Sequence, residues 1–266
     1  MTPQQNPPPA SPTTQPQPQP LVTVITAHGG NPLLARCVES VAAQSHGNVQ
    51  HLVVADGPHT WEQARAVARR HEERGHIDLI QLPYPTGTNR WKGHRIYGAG
   101  LFLARGEYLA FLDDDNTMAP THLADCLAVC RQGRQWSYAL RNIVDREHRF
   151  VCRDDCESLG RWPSVLNDQD YMVDVSCYFL PRLLAMQLAP LWFNRTREPG
   201  QPEVDRLLCH ALRRIAPDYD CTYRYTIDYM AGNTGDSVTA DFFLRGNAKM
   251  LQRHGGRLPW ARDAAG

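Results

Sequence analysis

The sequence predicts an α/β fold on a mainly parallel sheet, and three observations predict it. β-rich runs alternate with amphipathic segments up to about residue 120, the pattern of strands joined by crossover helices. The runs at 21–26, 49–54 and 108–112 are rich in apolar and β-branched residues, as buried strands are. Each stops abruptly, at Ala27-His28-Gly29-Gly30-Asn31, at Ala55-Asp56-Gly57-Pro58 and at Asp113-Asp114-Asp115-Asn116.

Residues 1–20 are mostly Pro, Gln and Thr and bury too little to fold, so a disordered tail is expected. After the first strand at 21–26, Pro32 suits a first helical turn. Leu33, Leu34, Cys37, Val38, Val41 and Ala42 then recur at helical spacing, to an end near 45–47. The second strand, 49–54, is followed by a polar helix from a Thr60 cap to about Gly75, and 77–82 is the third strand. This β-α-β-α-β opening implies right-handed crossovers. A loop rich in Pro, Gly and Thr at 83–92 leads to a helix at 96–104, the strand at 108–112 and a helix at 118–131, with Pro120 near its start. Beyond it the pattern is mixed. Strands are expected at 136–141 and 150–152 around a polar turn, and at 172–180, where Pro181 leads into a helix. A helix at 203–215, a strand at 223–227 and a helix at 240–251 follow. No repeat is visible. One continuous domain over 21–255 is expected, with a nucleotide-type half at 21–120, a mixed half at 121–255 and a flexible tail at 256–266.

The chain has 266 residues, with 28 basic and 28 acidic side chains. That balance argues against a general nucleic-acid binder. No apolar stretch has the length of a bilayer span, and the N-terminus lacks the regions of a signal peptide. A cytoplasmic protein is expected, with peripheral attachment to a membrane left open. The eight cysteines are diluted, and several sit in apolar runs, so reduced buried thiols are expected rather than disulfides. Cys126 with Cys130, and Cys152 with Cys156, are spaced by three residues, whereas zinc pairs usually have two.

Three consecutive aspartates repel one another unless something offsets the charge. A hard divalent cation, Mg²⁺ or Mn²⁺, does so through carboxylate oxygens. The ends of parallel strands share one edge, so Thr26, Ala27 and His28, Asp56, and Asp113 to Asp115 should line one crevice. An acid at the end of the second strand can accept bonds from a base or ribose. No G-x-G-x-x-G and no G-x-x-x-x-G-K-[ST] is present, which argues against a dinucleotide cofactor and P-loop ATP binding.

The segments VTVITAHGGNPLLARCVESVAAQS, VQHLVVADGP and ARGEYLAFLDDDN resemble the start of a family 2 glycosyltransferase of the GT-A fold. The resemblance covers about 21–120 well and the rest loosely. It implies a GT-A, nucleotide-diphospho-sugar transferase fold and an inverting transfer from a nucleoside-diphosphate sugar, a UDP-sugar being favoured. The expected acceptor is a hydroxyl of a sugar, glycan or glycolipid. It implies Mn²⁺ or Mg²⁺ on the diphosphate, where a Lewis acid stabilises the leaving group. Asp115 is then the firmest metal ligand, Asp113 is split between metal and ribose, and Asp114 faces the ribose. Asp56 binds the nucleobase, flanked by Thr26, Ala27 and His28.

The family places a general base as an acid at a helix start in the second half. Here Pro202-Glu203-Val204-Asp205 replaces the usual Glu-Asp doublet. Asp205, followed by apolar Leu207 and Leu208, is the chosen base, with Glu203 the alternative; both acids would also favour a helix N-terminus. Asp174 in an apolar strand needs a partner, as a sugar contact or a structural group. Arg95 is the candidate for the diphosphate, although HRIYGAG lacks the family's Asn. The turn 233–237 is expected to close over the donor, and His254 is a weak third metal ligand. Two rivals remain: a nucleotidyltransferase, which would usually show a basic glycine-rich loop after the first strand, and a sugar-nucleotide binder with no working base. The absence of Q-x-x-R-W argues against a processive membrane synthase.

Overall fold

The computed structural model describes residues 19–71, 77–88, 91–194, 204–233 and 237–261. In chain order the elements are β1 (Val22–His28), α1 (Leu34–Ala42), β2 (Val49–Ala55), α2 (Pro58–Arg70), β3 (Ile77–Gln81), α3 (His94–Leu103), β4 (Tyr108–Phe111) and β5 (Thr117–Met118). They continue with α4 (His122–Arg131), β6 (Trp136–Val144), β7 (Phe150–Arg153), β8 (Tyr178–Pro181), α5 (Arg182–Gln187), α6 (Val204–Ile215), β9 (Tyr219–Met230) and α7 (Ala240–Arg253).

One nine-stranded sheet runs through both halves, in the order β3-β2-β1-β4-β8-β6-β9-β5, with β7 on β6. The strands β3, β2, β1 and β4 are parallel. From β8 onward the pairing is mixed. The expected α/β class and the change of pattern after residue 120 are both present. Val24, Ile25, Leu109 and Phe111 are fully buried, so β1 and β4 are covered on both faces. Each such side chain contributes about 1.5–3 kcal/mol on burial. On one side α1 packs Leu34 and Val38 with Val53, Ala64 and Val67.

Several elements differ from expectation. The helix after β4 starts at His122, because Thr117 and Met118 pair with Asp228 and Ile227 as a short strand. The polar helix α2 starts at Pro58, and Thr60 donates back to the Gly57 carbonyl at 3.0 Å instead of capping. The expected strand 172–180 is shorter. Asp174 accepts from the Ser176 amide and starts a single 3₁₀ turn, leaving only Tyr178–Pro181 extended. Conversely, β9 is longer than expected. Its polar alternation hides a strand recruited by β6, with Tyr223 at φ 57° where the register shifts. The C-terminal stretch is not loose up to Ala261: Trp260 is fully buried and its Nε1 donates to Asp155 Oδ1 at 2.7 Å. Of the expected N-terminal tail, Gln19 and Pro20 are held by Asn48 and His46; residues 1–18 and 262–266 lie outside the described residues.

Beneath the mixed half lies a buried ionic cage. Arg141 on β6 donates through Nε to Asp154 at 2.8 Å, through Nη2 to Glu157 at 2.9 Å and through Nη1 to Asp174. Its guanidinium stacks on Tyr229, 4.1 Å from the ring centre. Removing one partner of such a cage strands the opposite charges. Arg141→Ala is therefore expected to cost roughly 3–5 kcal/mol in urea unfolding. A loss under about 1 kcal/mol would contradict the cage's structural role.

Candidate active site

Register places the triplet. Ile25 of β1 pairs with Phe111 of β4, so His28 stands level with Asp114. The ends of β1, β2 and β4 open into a cleft of about 640 Å³, lined by Ala27, Asp56, Lys92 and all three aspartates. Side chains alternate along a strand, so Ala27 faces the cleft and its neighbours do not. Thr26 is buried on the other face, with Oγ1 3.0 Å from His51 Nε2 and 3.7 Å from Cys37 Sγ. This corrects the expectation that Thr26 lines the crevice. His28 is also fully buried and supports rather than lines the cleft.

Each aspartate has its own partners. His28 Nδ1 lies 2.7 Å from Asp114 Oδ2, and since a carboxylate only accepts, Nδ1 carries the proton. The Gly29 and Asn31 amides donate to the same oxygen at 3.0 and 3.3 Å. Asp114 thus lines the cleft but spends one oxygen on bracing the loop after β1. Tyr97 donates to Asp113 Oδ1 at 2.5 Å, and Asn233 to Asp115 Oδ2 at 2.7 Å. Behind them, Ser176 Oγ accepts from the Asp113 amide at 3.4 Å and from Asn116 Nδ2 at 3.1 Å.

Electrostatics at the two outer members of the triplet favour a cation. Burial, then the charges of Asp115 and Asp174, hold Asp113 well above the usual carboxylate range. Burial, then the charge of Asp114, push Asp115 up to about 6. A divalent ion would relieve both, and an oxygen-only donor pair fits Mg²⁺ or Mn²⁺. Among the described residues no group of three or more His, Cys, Asp or Glu side chains is arranged to hold a metal. Two carboxylates suit an ion that keeps waters and shares substrate phosphates.

Asp56 closes the far end of the cleft. It accepts from the Thr86 amide at 2.6 Å, the Thr86 hydroxyl at 2.8 Å and the Gly87 amide at 2.8 Å. A Cβ at Gly87 would sit 2.7 Å from the Lys92 carbonyl and 2.9 Å from Asp56 Oδ2, so only glycine allows this approach. Arg95 is not among the residues lining the cleft. It stacks on Trp91 at 4.0 Å and donates to the Thr86 carbonyl at 3.3 Å, bordering a separate apolar pocket. Among the described residues, Lys92 is an exposed basic side chain that does line the cleft; its one signal in the sequence is a basic residue in the loop before α3.

Asp205 opens α6, with Oδ1 3.7 Å from Nε2 of His94, the first residue of α3. The preceding residue, Gly93, lines the cleft. Glu203 lies outside the described residues. Asp174 belongs to the Arg141 cage, which answers the question of its partner. His254 follows α7 with its ring edge-on to Trp260 at 5.3 Å and is not part of the cleft lining. Of the turn 233–237, Asn233 and Ser237 line the cleft, and 234–236 lie outside the described residues. All eight cysteines are free thiols, and seven are buried. Among the described residues no helix is long and apolar enough to cross a membrane.

Residues 23–147 match the family described as Glycosyl transferase family 2. No curated protein matches the chain by sequence. Among solved structures it is similar to S. aureus TarS, with a TM-score of 0.58 and 16% identity over 79% of this chain and 37% of that one. It is also similar to S. aureus TarS 1-349 in complex with UDP-GlcNAc, with a TM-score of 0.58 and 15% identity over 80% of this chain and 59% of that one. The mannosyltransferase PcManGT from Pyrobaculum calidifontis, in complex with GDP-Man and Mn²⁺, gives a TM-score of 0.52 and 16% identity, covering 92% and 67%. At these identities the likeness is one of fold, and the chain spans just over a third of the full TarS chain. The aspartate triplet and Asp56 both fall inside the matched segment. Residues 23–147, just under half of the chain, are thus similar to glycosyl transferase family 2, and the chain has a GT-A fold.

Proposed function

We propose that the protein is a metal-dependent, inverting glycosyltransferase acting on a nucleoside-diphosphate sugar. The observation that carries this reading is the pairing of Asp113 and Asp115, raised in pKa, with the Asp56 end of one cleft. A UDP-sugar is the favoured donor, in keeping with the UDP-GlcNAc complex of the TarS fragment; the GDP-Man complex of PcManGT keeps a GDP-sugar in the test. The acceptor is the hydroxyl of a sugar, glycan or glycolipid, and the setting is the cytoplasm.

Each residue has a defined task. Asp56 holds the nucleobase beside the Thr86–Gly87 loop that it anchors. Asp113 and Asp115 hold Mn²⁺ or Mg²⁺, and Asp114 keeps the β1 loop in place against the ribose side. Bound there, the ion supplies Lewis-acid stabilisation of the diphosphate leaving group. Lys92 adds positive charge to the same cleft. Asp205 takes the proton of the acceptor hydroxyl as its oxygen attacks the anomeric carbon opposite the leaving diphosphate, which gives inversion.

The test is a thermal-shift screen over UDP-, GDP- and dTDP-sugars with and without Mn²⁺, followed by nucleotide release with candidate acceptors. A ligand specific to the folded state raises the melting temperature by mass action. Metal-dependent stabilisation by one donor, with UDP or GDP release, is expected. Pyrophosphate release from nucleoside triphosphate and sugar phosphate would instead support a nucleotidyltransferase. Donor binding with no turnover across a broad acceptor panel would support a sugar-nucleotide binder.

A further inference from the structure

We propose that Tyr97 is a positioning residue for Asp113: it pins one carboxylate oxygen and leaves the other to face the cation. The inference rests on the metal reading of the cleft given above. Tyr97 is 1% exposed, on α3, and its hydroxyl lies 2.5 Å from Asp113 Oδ1. In the ionised state that a bound cation requires, the carboxylate only accepts, so the phenol donates.

The ring is held on several sides. It meets Phe111 edge-on at 5.6 Å and Trp192 at 5.4 Å. A Cβ at Gly93 would come within 2.9 Å of Tyr97 Cε2 and 2.8 Å of Ala27 Cβ. Gly93 therefore gives the ring room to stand beneath the cleft wall.

Asp113 needs such a partner. Its neighbours Asp114, Asp115 and Asp174 are all acidic. Among the described residues the ion pairs include none from Lys or Arg to Asp113. The terminal torsion of an aspartate is broad, so an untethered carboxylate would present either oxygen to an ion. One fixed donor removes that freedom before the metal arrives, as partners behind a metal ligand generally do.

The experiment measures free Mn²⁺ by electron paramagnetic resonance during titration of the full chain, with UDP and separately with GDP present. Tyr97→Phe keeps the ring and removes one donor. It is expected to weaken Mn²⁺ binding about tenfold, the worth of a hydrogen bond to a charged group. The melting temperature without metal should stay near that of the parent. Should the Phe variant fail to fold, para-methylphenylalanine and para-aminophenylalanine at position 97 fill the same space and differ in the donor. The amino form should bind Mn²⁺ as the parent does, and the methyl form should not. Equal Mn²⁺ binding by parent and Phe variant, or by the methyl and amino forms, overturns the proposal. A parent protein that binds no Mn²⁺ with either nucleotide overturns the metal reading itself, and the proposal with it.

Discussion

Asp115→Ala is expected to abolish metal-dependent donor binding, with a loss of roughly a hundredfold or more in calorimetry with Mn²⁺. The carboxylate lies in the cleft, is pushed up to about 6 by burial and by Asp114, and is held by Asn233. Alanine removes one of only two outer carboxylates. It also lifts a like charge from Asp113, so the free protein should be no less stable and the loss should be confined to ligand binding. Unchanged Mn²⁺-dependent affinity would remove Asp115 from the metal assignment. Affinity lost equally with and without Mn²⁺ would place it on the nucleotide instead.

The second large effect is expected at Asp205. Asp205→Asn preserves shape and the polarity at the start of α6 but cannot take a proton. Donor affinity should stay nearly unchanged, while turnover falls by about two to four orders of magnitude. His94 Nε2, 3.7 Å from Asp205 Oδ1, ties the acid to the start of α3, next to the Gly93 wall of the cleft. Glu203→Gln is the companion experiment. If it shows the large loss and Asp205→Asn does not, Glu203 is the base. If neither does, both acids serve only the helix start, each worth about 1 kcal/mol or less.

The parallel half of the fold was legible because its strands are continuous apolar runs and its helices have a clear period. The mixed half was less so. The residues of β9 alternate tyrosines with Asp, Arg and Thr, so only its middle reads as a strand, and pairing with β6 and β5 extends it to Tyr219–Met230. The segment 172–177 is as apolar as a strand, but the Asp174 side chain competes for the backbone and turns it. At the site, Asp56 and the triplet could be found because strand ends share an edge. The direction of side chains there was not readable from order alone. One residue of register separates Ala27 in the cleft from Thr26 behind the sheet. Lys92 and Arg95 are three positions apart in one basic stretch, on either side of the start of α3, and only the fold shows which of them lines the cleft. Tyr97 gave no signal, since a tyrosine in an apolar helix reads as core, and its contact with Asp113 spans sixteen residues.

On the proposed function, the end of β4 holds a divalent ion on a donor diphosphate. Anomalous diffraction at the manganese edge, from crystals grown with Mn²⁺ and UDP or GDP, tests it most directly. One strong peak is expected at coordination distance from Asp115, shared with Asp113 and with diphosphate oxygens. Nucleotide in the cleft with no peak there, or a peak away from both aspartates, would contradict it.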